Sequence, residues 1–158
     1  MKISTGGGDR GFSSLADGKP LLKSDAPFEV MGDLDELSAV LGLCLAGGGD
    51  ENFIRNSQNL LINIMSYIAS GCNEKYLISK DEAESFYSCY EYEFNGFVLP
   101  GGNELSARFD FARTVARRAE RHFVSYITEK GKETEAANFL IFLNRLSDAL
   151  FIEARKAK

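Results

Sequence analysis

The chain has 158 residues, 44% of them hydrophobic and 26% charged, with a formal net charge of −5. That length suits one domain that buries a core without covalent staples, and the acidic balance argues against general nucleic-acid binding, which needs a domain-wide basic field. Cys44, Cys72 and Cys89 share no metal-like or disulfide-like spacing, which points to a reducing, cytoplasmic setting; no apolar run approaches the roughly 18 residues of a membrane span, and the N-terminus lacks the apolar region of a signal peptide.

Residues 1–27 are rich in glycine, serine and threonine and carry no helical period. A segment of that kind on a compact domain is either frayed or functional. Within it, "STGGGDRGFSS" (4–14) places Gly6, Gly8 and Gly11 in a G-x-G-x-x-G spacing. No apolar strand precedes this spacing and no helical period follows, so the dinucleotide-binding context is missing, and the glycine-lysine-serine/threonine ending of a Walker A loop is missing too. The physical content survives without either motif. Glycines let backbone N–H groups approach an anion closely. Thr5, Ser13 and Ser14 add hydroxyl donors, Lys23 adds a mobile positive charge, and Asp9 among the glycines is not what a mere flexible tail needs.

From residue 28 the character changes. Apolar residues at 30, 34, 37, 40, 41 and 43 predict a helix over 28–46, which "GGGD" (47–50) ends. Phe53, Leu60, Leu61, Ile64 and Ile68 predict a second helix over 51–71. Ser79 is an N-cap signal for a shorter helix over 79–90. Pro100 and its two following glycines interrupt the chain before a fourth helix, about 104–129, closed by Gly131. A fifth covers about 133–156, with Phe139, Leu140, Phe142, Leu143, Leu146, Leu150 and Phe151 apolar. Nothing reads as a sheet. The fold class is all-α: a five-helix bundle (28–156) behind an irregular N-terminal segment (1–27), in a single domain.

The fourth helix carries "ARTVARRAER" (112–121). On a wheel of about 100° per residue, Arg113, Arg117 and Arg121 form one row, with Glu120 and Asp110 on the same side. Arg118 stands on another face, and His122 lies away from the row as a surface residue. Phe109, Ala112, Val115, Ala116, Ala119, Phe123 and Ile127 form the packing face. One reading is a solvated face laced by intrahelical ion pairs. The other follows from the choice of arginine every time and lysine never, which suits bidentate recognition of carboxylate or phosphate. Asp33, Asp35 and Glu36 are candidate carboxylate partners, and each charge-assisted bond is worth roughly 1.5–3 kcal/mol. Asn144 is a polar residue flanked by apolar ones, for which partners inside the fold are one explanation. Arg145 and Asp148 form an i,i+3 pair. A single histidine removes the Glu-x-x-His pairs of a di-iron bundle, and no Ser/His/Asp or Cys/His arrangement is present.

Taken in order, "TGGGDRGFSSL" (5–15), "GDLDELSAVLG" (32–42), "FVLPGG" (97–102), "ARTVARRAER" (112–121) and "FLNRLSDALF" (142–151) resemble the ATP:corrinoid adenosyltransferases of the PduO type. The resemblance covers most of 3–43 and 97–155. Residues 46–96 are shorter than is usual there, and Gly7 stands where a threonine is common. The resemblance implies a homotrimer of five-helix bundles that transfers the 5′-deoxyadenosyl group of ATP to the Co(I) centre of cobalamin. It implies that Thr5, Gly6, Gly7, Gly8, Asp9, Ser13, Ser14 and Lys23 wrap ATP, with Arg117, Glu120, Arg121 and Asn144 completing the site from the neighbouring subunit. Arg113 would pair with Asp35 across the interface, and Phe97 would press on the corrin face and exclude its axial ligand. Arg117 and Phe97 are then the residues acting on the reaction. Magnesium would arrive on the phosphates, with no protein side chain holding it. A reductase and an adenosylcobalamin-dependent enzyme are the implied partners, with no nucleic acid and no membrane. Two rivals fit the same residues: a non-catalytic trimeric nucleotide or corrinoid sensor or carrier, and a helical oligomerisation module whose arginines serve only the interface.

Overall fold

The computed structural model describes residues 6–84, 96 and 98–157. Five helices dominate the described residues: α1 (Ala26–Ala46), α2 (Glu51–Ala69), α3 (Lys80–Glu84), α4 (Glu104–Lys130) and α5 (Ala137–Lys156), with a 3-10 turn at Glu74–Tyr76. The all-α expectation holds, with one addition. Residues 12–22 form a small antiparallel hairpin, β1 (Phe12–Ser14) with β2 (Pro20–Leu22), in which Phe12 faces Leu22 and Ser14 faces Pro20. Strands of three residues are too short for a two-residue alternation to stand out in a sequence.

Local chemistry sets the helix ends. Pro27 sits in the first turn of α1, where a missing N–H costs nothing. Asp25, just before it, accepts the Leu22 N–H at 2.8 Å and so ties the hairpin to the helix start. Asp50 accepts the Phe53 N–H at 2.6 Å to open α2, and Asn103 accepts the Ser106 N–H at 2.8 Å to open α4. Ser79 caps α3 as its sequence position indicated: its Oγ accepts the Glu82 N–H at 3.1 Å, while Glu82 returns to accept the Ser79 N–H at 2.8 Å. The predicted continuation of that helix over 85–90 lies outside the described residues. Gly131, at φ +63°, closes α4 in a left-handed conformation that glycine adopts without strain. The last helix starts at Ala137, four residues later than expected, because 133–136 is a turn.

The packing follows the apolar stripes. Alanines 112, 116 and 119 of α4 are fully buried and let α1 and α5 approach closely. Phe123 and Phe139 meet edge to face at 6.1 Å between ring centroids. Each such buried large side chain stabilises the fold by about 1.5–3 kcal/mol. Leu43, assigned to the α1 stripe, is instead 52% exposed, because at about 100° per residue it falls on the side of the helix opposite the buried Leu34, Leu37, Leu41 and Cys44. The hairpin is docked on the bundle end by the Ala16 N–H, which donates to the Ala69 carbonyl at 2.8 Å. No described helix is long and apolar enough to cross a membrane.

Candidate functional site

The glycine segment is built as a cradle. Asp9 and Gly11 donate their N–H groups back to the Gly6 and Gly8 carbonyls at 3.3 and 3.2 Å, giving two successive turns. Gly6 (φ +71°) and Gly11 (φ +80°) hold the left-handed conformations that such turning demands. The Lys23 N–H closes the cradle on the Gly11 carbonyl at 2.9 Å. The Lys23 ammonium lies directly over Gly8, so close that a Cβ there would sit 2.6 Å from Nζ. Gly7, Gly8, Phe12, Ser13, Ser14, Gly18 and Pro20 line an open cleft of about 380 Å³. The structure thus brings Gly7, Gly8, Ser13, Ser14 and Lys23 together through the hairpin, and Asp9 folds its carboxylate back toward Gly6. Thr5 lies outside the described residues, as does Phe97.

The second element is the exposed face of α4. Arg117 and Arg121 are exposed. Arg121 Nη1 donates to the Arg117 carbonyl at 3.1 Å, and neither arginine forms an ion pair among the described residues. Intrahelical pairing therefore does not account for these two charges. Asn144, read as a candidate for burial, is exposed on α5, and its Nδ2 donates to Glu120 Oε1 at 3.2 Å. Arg117, Glu120, Arg121 and Asn144 thus share one face formed by α4 and α5. The bonds of the arginine row do not reach the glycine cleft of the same chain.

Three expectations change in detail. Asp33 and Glu36 do not serve the row. They bind Arg118, whose Nε donates to Asp33 Oδ1 at 2.8 Å and whose Nη2 donates to Glu36. Asp33 is buried where α1 packs on α4, so the arginine it meets is the one on that inner face. His122 is no plain surface residue: its Nδ1 lies 2.5 Å from Asp33 Oδ2. Asp110 lies on the row side of the wheel yet is buried, because α5 covers that part of α4 and sets Arg155 against it. Asp35 remains exposed on α1, and Arg145 and Asp148 pair at 3.7 Å as expected.

The Arg118–Asp33–His122 and Asp110–Arg155 groups are what sequence reading missed. Arg155 left a signal, since it follows Phe151 by four positions on an otherwise packing face. Elsewhere burial pushes the Cys44 thiol up to about 11, which keeps it protonated and inert. Among the described residues, no three histidine, cysteine, aspartate or glutamate side chains gather into a metal cluster. The donor set at the cleft is cationic and N–H rich, which fits an anion and does not itself fit a divalent cation.

Comparison with known proteins agrees with these features. Residues 3–157 match the family model described as cobalamin adenosyltransferase. The chain is 34% identical to the corrinoid adenosyltransferase PduO of Salmonella typhimurium over 98% of its own length and 49% of the relative's. It is 37% identical to the human corrinoid adenosyltransferase MMAB over 99% of this chain and 68% of that protein. The chain therefore spans about half the length of the Salmonella relative. Among solved structures, a variant PduO-type ATP:corrinoid adenosyltransferase from Lactobacillus reuteri, complexed with cobalamin and ATP, superposes with a TM-score of 0.79 at 29% identity, covering 99% of this chain and 90% of that one.

Proposed function

The chain belongs to the cobalamin adenosyltransferase family, and on that premise we propose that it transfers the 5′-deoxyadenosyl group of ATP to the Co(I) centre of cobalamin, as a homotrimer. The observation that carries this reading is the pair of bare arginines, Arg117 and Arg121, beside the Glu120–Asn144 contact, in a chain that also holds a Lys23-capped glycine cleft.

The chemistry asks little of the protein beyond placement and charge. The electron pair of Co(I) forms the Co–C5′ bond as the C5′–O bond breaks, and that second pair leaves on triphosphate. Negative charge thus has to be met at the departing phosphate, in a site where water is scarce. Glycine N–H groups, Ser13, Ser14 and Lys23 hold the chain from one side. Arg117 and Arg121 face it from the neighbouring subunit, with the Glu120–Asn144 contact beside them on the same face. This division is the one that the family resemblance implies, and the row makes no bond to its own glycine cleft among the described residues. Magnesium, when bound through the phosphates, adds further positive charge there. Phe97 acts at the corrin face, and Asp35 of one subunit meets Arg113 of the next. Because Co(I) is the nucleophile, no serine, cysteine or histidine is required for the attack. A reductase must supply the electron, and an adenosylcobalamin-dependent enzyme consumes the product, in the reducing cytoplasm.

The test is anaerobic mixing of protein, ATP, magnesium and cob(I)alamin, following the absorbance change of Co–C bond formation. Stoichiometric product with triphosphate release is expected. Corrinoid binding without product would replace the enzyme with a carrier or sensor.

A further inference from the structure

Arg113, Asp110 and Arg155 form a partly buried triad in which only Arg113 has a role above. Arg155 comes from the last turn of α5, and its side chain is only 5% exposed. Its Nη2 donates to Asp110 Oδ2, on a carboxylate that is also 5% exposed. Arg155 Nε and Nη1 are buried with no hydrogen-bond partner, and its guanidinium lies 5.1 Å from the centroid of the Phe151 ring. Asp110 is therefore the one carboxylate that Arg155 has among the described residues. A buried guanidinium stripped of its carboxylate is costly, so Asp110 Oδ2 is not free to turn away.

The other oxygen meets Arg113. Asp110 Oδ1 lies 3.6 Å from Arg113 Nε, and Arg113 Nε is itself buried with no hydrogen bond. The distance is an ion-pair contact on the Nε edge of Arg113. It leaves the Nη1–Nη2 end of the same guanidinium pointing away from the carboxylate, since the two edges of the planar fork diverge. Arg113 is 26% exposed, so this free end is what the surface presents.

We infer that Asp110 and Arg155 are positioning residues for Arg113. Arg155 holds Asp110 from inside the bundle, and Asp110 holds Arg113 by its Nε edge. The Nη end is thereby aimed at an acidic group of a second copy. The inference rests on the reading in which Arg113 meets Asp35 of the neighbouring subunit, and it adds two residues of this chain that set the angle of that contact.

A double-mutant cycle on the full chain tests it, read as the subunit dissociation constant by sedimentation. Asp110→Asn is expected to raise that constant about tenfold in the native background and less than about twofold in the Arg113→Ala background, because two residues acting through one contact are not additive. Equal effects in both backgrounds would make Asp110 an ordinary structural residue and overturn the inference. It is overturned as well if Arg113→Ala weakens assembly while Asp110→Asn leaves it unchanged. If Arg113→Ala itself leaves assembly unchanged, the reading of Arg113 as a subunit contact fails first and the inference falls with it. Asp110→Asn alone leaves Arg155 buried and uncompensated. The double variant Asp110→Asn/Arg155→Met, which removes both buried charges together, guards against misfolding. It should show the same loss of effect when Arg113 is alanine, with circular dichroism confirming native helix content.

Discussion

Arg117 and Arg118 are neighbours in sequence with the same side chain, yet the fold treats them oppositely. One step of about 100° along α4 carries Arg118 onto the α1 side, where Asp33 and Glu36 take its charge. The same step leaves Arg117 on the open face, without an ion pair among the described residues. A charge already paired within the chain contributes to holding α1 on α4. A charge left bare contributes nothing to the isolated chain and is available to something else. Arg113 lies between these cases, its Nε edge turned toward Asp110 and the remainder of its fork outward.

The largest expected effect follows from breaking the bare side of this contrast. Arg117→Ala should weaken ATP binding by about 10- to 100-fold, the equivalent of one charge-assisted bond of roughly 1.5–3 kcal/mol. Melting temperature should hardly move, because the side chain supports nothing else in the chain. Calorimetric titration with ATP alongside a thermal melt separates the two. A large fall in melting temperature with unchanged ATP affinity would invert the contrast.

Arg118→Ala should do the reverse. Among the described residues, buried Asp33 would keep only His122, and the α1–α4 contact should lose about 1 kcal/mol. That figure sits below the usual range for a charged hydrogen bond because Arg118 is 37% exposed and screened. A thermal melt should show the loss while ATP affinity stays within about twofold, and a loss of ATP binding comparable to that of Arg117→Ala would mean that both arginines serve the ligand. Asn144→Ala comes next. It removes one bond to Glu120 at 3.2 Å, and ATP affinity should fall about fivefold, the equivalent of roughly 1 kcal/mol. No change would assign Glu120 and Asn144 to the surface alone.

The contrast also marks what the sequence could and could not disclose. The helices were legible because their apolar stripes repeat with the helical period. Phe109, Val115 and Phe123 lie buried where that period puts them. The arginine row was legible for the same reason, and so was the Ser79 cap. The partner of each arginine was not. A wheel describes one helix and is silent on which neighbour covers which part of it. Asp110 lay on the row side of α4 in the wheel, and only the arrival of α5 turned it inward toward Arg155. Asp33, Asp35 and Glu36 looked alike as candidate acids. The crossing of α1 over α4 gives the first and last of them to Arg118 and leaves Asp35 exposed. The hairpin escaped because it is made of two three-residue strands and meets the bundle through the Ala16–Ala69 bond, a contact 53 residues apart in the chain.

The smallest expected effect concerns carboxylates that the fold has already engaged, and pH is what reads it. The Ser79 backbone N–H and then its hydroxyl hold the Glu82 carboxyl below its ordinary value of 4.5. The Lys132 ammonium and then the Tyr67 hydroxyl do the same for Glu135. A depressed carboxylate lends stability that is fully present above the unfolded value and is lost as pH falls through the lower folded one. Both contacts should therefore be intact at pH 6 and weaken only below about pH 4.5. The Ser79 amide proton shift, followed by NMR from pH 6 to 3, should titrate with a midpoint below 4.5. Glu82→Gln should abolish that titration and leave ATP affinity at neutral pH unchanged. A midpoint at or above 4.5 would mean that the cap gives the ionised carboxyl no advantage, and the difference drawn between engaged and bare charges would then not extend to α3.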